Sequence, residues 1–296
     1  MKHAYLIMAH AYSEVLKTLL MLLDDPRCDI YIHMDLKNRD PMPESFRSAV
    51  RHSELVLFSE IPVYWGDTTL MEAGLILLKK ALKKGPYAYY HLLSGADLPV
   101  KKANEIYDVF DVNQGKEFIH FGTPEYSRDI RSRYTTWHFF ERQLGRRRDD
   151  PFYNKAETYS QAIQRRLHID RSKSAGFQFY GGSQWFSITQ GFASYVVENT
   201  PRVWKHFRFT QLTEEFFIQS MVMTSPFSDK LYVPGQTNDY RGNVRLIYWN
   251  RGTPYVWRKT DLPELLSSEA CFARKFDEKA DDEVVKELYE TLRITG

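Results

Sequence analysis

Cysteine is scarce in this chain, and so is net charge. Cys28 and Cys271 are the two cysteines among 296 residues, which is too few for a disulfide framework, although a single bridge between them stays open. The 40 Lys and Arg residues nearly balance the 38 Asp and Glu residues, for a net charge of +2. A dedicated nucleic-acid-binding protein carries a marked basic excess. We therefore predict no nucleic-acid partner.

Long apolar runs are absent as well. No uninterrupted apolar stretch approaches the roughly 18 residues of a membrane-spanning helix. The N-terminal sequence MKHAYLIMAHAY has an apolar run that is too short for the core of a signal peptide and is typical of a first β-strand. From the sequence we therefore expect a cytoplasmic protein.

Several catalytic signatures are missing. The chain has no GxxxxGK[ST] loop, no GxGxxG after a strand, no HExxH, no GxSxG and no paired CxxC, which disfavours NTPases, zinc hydrolases and α/β-hydrolases. Aromatic residues are abundant, with 6 Trp, 19 Tyr and 19 Phe. Most should be core residues, but flat amphipathic rings also suit a sugar-binding cleft, because a pyranose has apolar faces and polar edges.

Strand-like and helix-like segments alternate over the first 121 residues. Apolar runs of strand length lie at 4–10, 29–35, 54–59 and 87–94, and segments with helical spacing lie at 13–23 and 68–84. This alternation is typical of βαβ units. The predicted fold class is α/β, a Rossmann-like, mainly parallel sheet flanked by helices.

We predict one domain over 1–296 with three parts. The first is the alternating segment at 1–121. The second, at 122–182, is rich in Arg and Tyr and poor in apolar runs, so it should be a long, partly helical insertion. The third, at 183–296, returns to strand and helix patterns, including a helix at 212–223.

Polar residues follow three of the predicted strands. His10 follows the first strand, Asp35 the second, and Asp97 lies shortly after the fourth. Ligands of such sheets bind beyond the carboxyl ends of the strands. Asp35 would then contact a ribose or uracil, or else lie in a solvated turn.

The acidic pair that often holds a metal ion for a nucleotide diphosphate is incomplete here. Gly95 stands where the first acid of an Asp-x-Asp pair would be, and a lone Asp97 is a poor site for a divalent cation. Basic side chains such as Arg258 and Lys275 would then offset the diphosphate charge instead.

Glu214 and Glu215 are predicted to open the helix at 212–223. Acids favour the first helical turn because they complement the helix dipole, so a structural role explains both. Neighbouring helix residues point about 100° apart, however, so one carboxylate can face a cleft, where burial would raise its pKa toward the range of a general base. The pattern alone favours the structural role.

Several segments together resemble the core-2/I-branching β-1,6-N-acetylglucosaminyltransferase family (glycosyltransferase family 14), which also contains the peptide O-xylosyltransferases. The matching segments, over about residues 3–278, are the His10 region, YIHMDLK, VYWGDTTLMEAGLILLKKAL, HLLSGADLPVKKANEI, GGSQWFSITQGFASYVVE, LTEEFF and FARKFD. The resemblance lies in their order and spacing.

The resemblance implies an inverting glycosyltransferase of the GT-A fold type, which uses a UDP-sugar and needs no metal or other cofactor. Residues 1–121 would be its nucleotide-binding half, and 183–296 its acceptor and catalytic half. The implied site residues are Glu215 as catalytic base, His10, Asp35, Asp97, Arg258 and Lys275 for the donor, and Glu214, Trp65 and Trp249 for the acceptor.

The chain departs from the animal branching enzymes, which carry several disulfides and an N-terminal membrane anchor, and it resembles a compact bacterial-type member. Their acceptor segment does not align with PEYSRDIRSRY at 124–134. The acceptor is therefore expected only as a glycan or lipid-linked saccharide, in cell-surface or capsular polysaccharide assembly. The expected sugar is GlcNAc, with xylose or galactose as alternatives.

A non-catalytic protein that binds glycans or membrane surfaces is the alternative from another functional class. The Arg142–Arg148 cluster would give peripheral contact with an anionic membrane, which is also compatible with catalysis. The competing interpretation is a solvated loop neutralised by Asp149 and Asp150.

Overall fold

Two sheets organise the part of the chain that the structure describes. The computed structural model describes residues 2–146 and 150–293. Its strands are β1 (His3–Ala9), β2 (Cys28–Met34), β3 (Glu54–Phe58), β4 (Tyr89–Ser94), β5 (Asp97–Pro99), β6 (Phe118–Ile119), β7 (Phe186–Thr189), β8 (Arg245–Ile247) and β9 (Phe272–Arg274). Its helices are α1 (Glu14–Leu23), α2 (Glu44–Arg47), α3 (Thr69–Lys84), α4 (Ala103–Val112), α5 (Pro124–Asp129), α6 (Ser132–Thr135), α7 (Glu141–Arg146), α8 (Pro151–Arg166), α9 (Gln190–Phe207), α10 (Phe217–Met223), α11 (Leu262–Ser267) and α12 (Asp282–Leu292).

The larger sheet has the strand order β3-β2-β1-β4-β7-β6. Strands β3, β2, β1 and β4 are parallel, and β7 is antiparallel to both of its neighbours. Alternate residues of β1 face opposite layers: Tyr5 and Ile7 pack in the core with α1 and α12, whereas Ala4 and Leu6 pack in the core with α3 and α9. The predicted α/β class, a mainly parallel sheet flanked by helices, is confirmed.

Local sequence signals account for the first βαβ unit. Ser13 caps α1, as its hydroxyl accepts a hydrogen bond from the Leu16 amide at 3.1 Å, and the helix buries Leu16, Leu19 and Leu20. The strand ends then meet at one edge of the sheet. The Asp35 amide donates to the Ala9 carbonyl at 2.8 Å, and the Gly95 amide donates to the Met8 carbonyl at 2.9 Å.

The smaller sheet has the order β5-β9-β8 and was not predicted. In it Asp97 is paired with Arg274 in antiparallel register, while β8 runs parallel to β9. This sheet brings a C-terminal segment against the loop that follows β4.

The helix predicted at 212–223 is wrong at its start. Thr213–Glu215 forms a 3₁₀ turn, and α10 begins only at Phe217. Leu212 has a φ of 51° and Phe216 a φ of −146°, so the backbone is non-helical on both sides of the acids. Glu214 and Glu215 therefore do not occupy the first turn of an α-helix.

Both cysteines, Cys28 and Cys271, are buried free thiols. Burial raises the pKa of Cys28 to about 11 and that of Cys271 to about 12. Among residues 2–146 and 150–293, no helix combines the length and the apolar character needed to cross a membrane.

Candidate active site

A cavity of about 510 Å³ lies beside the 3₁₀ turn Thr213–Glu215. Its wall combines residues from distant parts of the chain, among them Trp65, Tyr126, Trp249 and Arg274. The Trp65 and Trp249 side chains are 55% and 52% exposed. Exposed indole rings on a concave surface suit the apolar face of a sugar ring.

The Glu215 carboxylate is held by one of its two oxygens. Oε2 accepts hydrogen bonds from the Tyr126 hydroxyl at 2.7 Å and from Arg133 Nη1 at 2.5 Å. Glu215 Oε1 has no partner within the described residues, and the side chain is 28% exposed. Oε1 is therefore the carboxylate oxygen that a hydroxyl group in the cavity could approach.

A close backbone contact fixes the turn that carries Glu215. The Gly182 amide donates to the Glu215 carbonyl at 2.7 Å. A Cβ at Gly182 would lie 2.1 Å from the His120 carbonyl oxygen, so the position requires glycine. The turn is thereby fastened to the segment that leads into β7.

Glu214 is buried where Glu215 is accessible. Its side chain is 6% exposed and its Oε2 has no hydrogen-bond partner in the structure. Burial, reinforced by the negative charge of Glu215, raises the pKa of Glu214 to about 8. Glu214 is therefore largely protonated at neutral pH.

Arg274 supplies positive charge to the same cavity. Its Nη1 donates to Asp97 Oδ1 at 2.7 Å and also to the Ser94 hydroxyl, and its guanidinium lies 4.5 Å from the Trp185 ring centroid. The Ser94 amide donates to Asp97 Oδ2 at 2.8 Å, so both Asp97 oxygens are engaged. Asp97 positions Arg274 rather than offering free oxygens to the cavity.

A stacked aromatic pair forms another part of the wall. The His120 and Tyr240 rings stack with centroids 4.0 Å apart, and the Trp249 indole N–H donates to the Tyr240 hydroxyl at 2.8 Å. Burial lowers the pKa of His120 to about 4, so it is a neutral ring at physiological pH. This wall orients Trp249.

The structure brings four of the predicted site residues to this cavity: Glu214, Glu215, Trp65 and Trp249. Asp97 is linked to it through Arg274, and Lys275 follows Arg274 in the chain. The Lys275 side chain is half-buried and forms no ion pair with any described residue.

The other predicted donor residues lie outside the cavity wall. His10 is exposed at the end of β1, where its carbonyl accepts from the Asn38 side chain at 3.1 Å. Asp35 is buried and its carboxylate accepts from the Lys37 amide at 2.9 Å. Arg258 is exposed, and its guanidinium donates to the Ala280 carbonyl before α12.

A group of residues that could hold a metal ion lies outside this cavity wall. His138, Glu141 and Glu157 are buried, with one potential ligand atom from each within 4.8 Å of the others. Burial alone would lower the pKa of His138, but hydrogen bonds with Glu141 and Glu157 raise it to about 9. His138 and Glu141 line a separate cavity of about 430 Å³.

Comparison with known protein families gives a match over residues 3–269 to the model described as Core-2/I-Branching enzyme. The chain belongs to this family. The Core-2/I-branching enzymes are a family of glycosyltransferases, and the resemblance of the sequence segments to that family is confirmed.

Named relatives of this Core-2/I-branching chain fall into two groups. It is 22% identical to rat xylosyltransferase 2 over 96% of this chain and 33% of that protein, and 27% identical to the xylosyltransferase oxt of Drosophila pseudoobscura pseudoobscura over 77% and 26%. It is 22% identical to mouse β-1,3-galactosyl-O-glycosyl-glycoprotein β-1,6-N-acetylglucosaminyltransferase 3 over 98% of this chain and 68% of that protein. The chain spans about a third of the length of rat xylosyltransferase 2.

Among solved structures, apo mouse xyloside xylosyltransferase 1 aligns with 92% of this chain and 97% of its own, at 12% identity and a TM-score of 0.39.

Sequence reasoning missed Tyr126, Arg133 and Arg274 in this Core-2/I-branching enzyme domain. Tyr126 and Arg133 belong to the segment PEYSRDIRSRY, which has no alignable counterpart, so only its Arg and Tyr content marked it. Arg274 precedes Lys275 in FARKFD, and nothing in that motif distinguishes which base faces a cavity.

Proposed function

We propose that this Core-2/I-branching enzyme transfers a sugar from a UDP-sugar to a hydroxyl group of a glycan acceptor, with inversion. The observation that carries the proposal is the Glu215 carboxylate, which has one oxygen held by Tyr126 and Arg133 and the other open to the cavity. Two exposed tryptophans on the same wall support a saccharide as the occupant.

The reaction is a single in-line displacement. The acceptor oxygen attacks the anomeric carbon from the face opposite the diphosphate, forming the new C–O bond as the bond to the diphosphate breaks. Glu215 Oε1 takes the hydroxyl proton, and UDP leaves. One carboxylate is enough, whereas a glycosidase needs a second acid to protonate its leaving group.

Basic side chains offset the charge that develops on the departing diphosphate. Arg274 lies on the cavity wall, and Lys275, which follows it, forms no ion pair within residues 2–146 and 150–293. Electrostatic stabilisation by such fixed cations is often the largest catalytic contribution. The engagement of both Asp97 oxygens supports a transfer step without a metal ion. Dose-dependent stimulation of transfer by added Mn²⁺ or Mg²⁺ would contradict this part of the proposal.

The donor sugar is proposed as GlcNAc, with xylose or galactose as the alternatives. Relatives named as N-acetylglucosaminyltransferase and as xylosyltransferases are similarly distant from this chain. A panel of UDP-sugars, with released UDP as the readout, separates them directly. The acceptor is proposed as a surface or capsular glycan or a lipid-linked saccharide, handled in the cytoplasm.

The central test compares the two adjacent acids. Glu215→Gln should lower UDP release and transfer by about 10²-fold or more, because it removes a positioned base. UDP binding, measured by calorimetry, should stay unchanged. The matched control is Glu214→Gln, which replaces an already protonated acid with a neutral amide and should retain turnover within several-fold. The reverse pattern would assign the base to Glu214.

A second proposal concerns helix α8, which buries polar side chains and exposes apolar ones, the reverse of an ordinary surface helix. Its buried face is polar: Gln164 accepts from the Trp137 amide at 2.7 Å, and Gln161 and Gln164 donate to the Trp137 carbonyl. The exposed apolar stripe consists of Phe152, Tyr159, Ile163 and, just after the helix, Leu167, which are 71%, 71%, 42% and 65% exposed. Exposure of contiguous apolar side chains to water is unfavourable, and such a surface is typical of a site that binds a membrane or another molecule.

Charge around the stripe identifies that partner. The exposed cations Lys155, Arg165 and Arg166 have no acidic partner in the described part of the chain. The helix carries one acid, Glu157, and that side chain faces inward. We infer that α8 lies on an anionic membrane surface, with its apolar stripe among the lipid headgroups and its cations beside their charges.

This surface differs from the one expected from the sequence. In the Arg142–Arg148 cluster, Arg147 and Arg148 lie outside the described residues, as does Asp149. Arg142 lies 3.8 Å from Asp67, and Asp150 caps α8 by accepting from the Phe152 amide at 3.0 Å. The argument for docking therefore rests on α8.

Vesicle co-sedimentation tests the docking. The protein should sediment with vesicles of phosphatidylcholine and phosphatidylglycerol, less so at high salt, and not with phosphatidylcholine alone. Tyr159→Ser/Ile163→Ser should abolish sedimentation. Val112→Ser, at an 83% exposed apolar position on α4, should leave it unchanged. A dimer that the double variant dissociates, without vesicle binding, would mean that a second copy covers the stripe instead.

A further inference from the structure

The buried cluster of His138, Glu141 and Glu157 has the composition of a metal site that the transfer mechanism does not use. His138 Nδ1 lies 2.9 Å from Glu157 Oε1 and 3.6 Å from Glu141 Oε1. The three residues are 6–9% exposed. Ligand atoms on one tetrahedral zinc ion lie roughly 3.4 Å apart for bonds of about 2.0–2.2 Å. The cluster is therefore close to the required geometry.

Each potential ligand is oriented by a second group. His138 Nε2 donates to the Ser132 carbonyl at 3.0 Å, which leaves Nδ1 as the nitrogen that faces the carboxylates. Gln211 donates to Glu141 Oε1 at 3.0 Å, and Gln161 donates to Glu157 Oε1 at 2.7 Å. Metal-binding histidines and carboxylates in proteins are oriented by hydrogen bonds of this type.

One oxygen of the cluster also lacks a partner. Glu157 Oε2 is buried and accepts no hydrogen bond from any described residue. A buried carboxylate oxygen without a partner is unfavourable, and a metal ion beside the Glu157 carboxylate would satisfy it.

We infer that His138 Nδ1, Glu141 and Glu157 bind a divalent transition-metal ion of the zinc type, with a structural role. Imidazole and carboxylate ligands suit such ions, and the adjoining cavity admits a water as fourth ligand. The ion would link α7, which carries Glu141, and α8, which carries Glu157, to His138 in the segment between α6 and α7. A Cβ at Gly66 would lie 3.0 Å from Glu141 Oε2, so the loop that carries Trp65 packs against this cluster.

Zinc binding by the full chain tests the inference. The protein is stripped with a chelator, dialysed against metal-free buffer and titrated with Zn²⁺ alone, with bound metal and melting temperature as readouts. One equivalent should bind and raise the melting temperature. Glu157→Gln, which keeps the size of the side chain, should weaken binding at least about tenfold. Glu72→Gln, on the same cavity but outside the cluster, should bind like wild type.

Two results would overturn the inference. One is wild-type protein that binds no more Zn²⁺ than Glu157→Gln, and the other is a melting temperature that Zn²⁺ does not raise; either means that a proton alone occupies the cluster. Both readouts are independent of UDP-sugar turnover, so loss of the proposed transfer activity would not affect this test.

Discussion

Replacing Glu214 with Gln should stabilise the protein increasingly as the pH rises. The ordinary glutamic acid pKa is 4.5, and burial raises that of Glu214 to about 8. Between these two values the unfolded chain releases a proton that the folded chain retains. The free energy of unfolding therefore falls as the pH rises from about 4.5 to about 8, and is constant above that range.

The two pKa values set the size of the effect. Proton linkage gives a loss of about 1 kcal/mol at pH 5 and about 3 kcal/mol at pH 7 for this one group. Glutamine does not ionise, so the free energy of unfolding of the Glu214→Gln variant lacks the pH dependence that Glu214 causes. The advantage of Glu214→Gln over wild type should therefore grow by about 2 kcal/mol between pH 5 and pH 7.

Urea unfolding at pH 5, 6 and 7 and constant ionic strength measures this difference. Other titrating groups, including the buried Glu117, cancel when the variant is subtracted from wild type. Glu198→Gln, at an exposed position on α9, is the control and should give a difference that does not change with pH. A pH-independent difference for Glu214→Gln would refute the assignment of a protonated Glu214, and with it the distinct roles of the two acids.

Two further substitutions test the positioning of the site. Asp97→Asn should lower UDP affinity by about tenfold in calorimetry, because Arg274 loses its charged anchor, whereas Asp108→Asn on the exposed face of α4 should not; unchanged affinity would remove Arg274 from the donor site. Gly182→Ala should destabilise the fold by about 2 kcal/mol or more in urea, since its Cβ would meet the His120 carbonyl. Gly74→Ala, where a Cβ meets atoms only at 3.8 Å or beyond, should instead be neutral or stabilising; equal effects would contradict the steric argument.

The larger sheet was predictable because β1, β2 and β4 are buried, mostly apolar runs, and because α1 and α3 have clear helical spacing. The helices predicted at 13–23 and 68–84 agree with the observed α1 and α3 to within one residue at each end. Strands β5 and β9 have three residues each, too few to show any periodicity. These strands form because β9 pairs with β5 and β8, which are distant in the sequence. The local residue pattern of a three-residue strand does not specify such a pairing.

The candidate site also has a part that was predictable from the sequence and a part that was not. Family resemblance singled out Glu214, Glu215, Trp65 and Trp249, which line one cavity. The partners of Glu215 and the orientation of Arg274 depend on contacts between segments 82–177 residues apart, which no motif reveals. The helix predicted through Glu214 failed for a local reason, since the positive φ at Leu212 is not visible in its residue type.

The pairing of β5 with β9 also sets an order of assembly during synthesis. Strands β1 to β4 lie within the first 94 residues and can associate while the rest of the chain is still on the ribosome. Asp97 must wait for Arg274, 177 residues later, and closing so long a loop is entropically costly and slow. A nascent chain that ends before Arg274 has the four parallel strands of the larger sheet but lacks the Arg274 guanidinium on the cavity wall. The part of the cavity wall that Arg274 forms is therefore completed only after β9 has been synthesised.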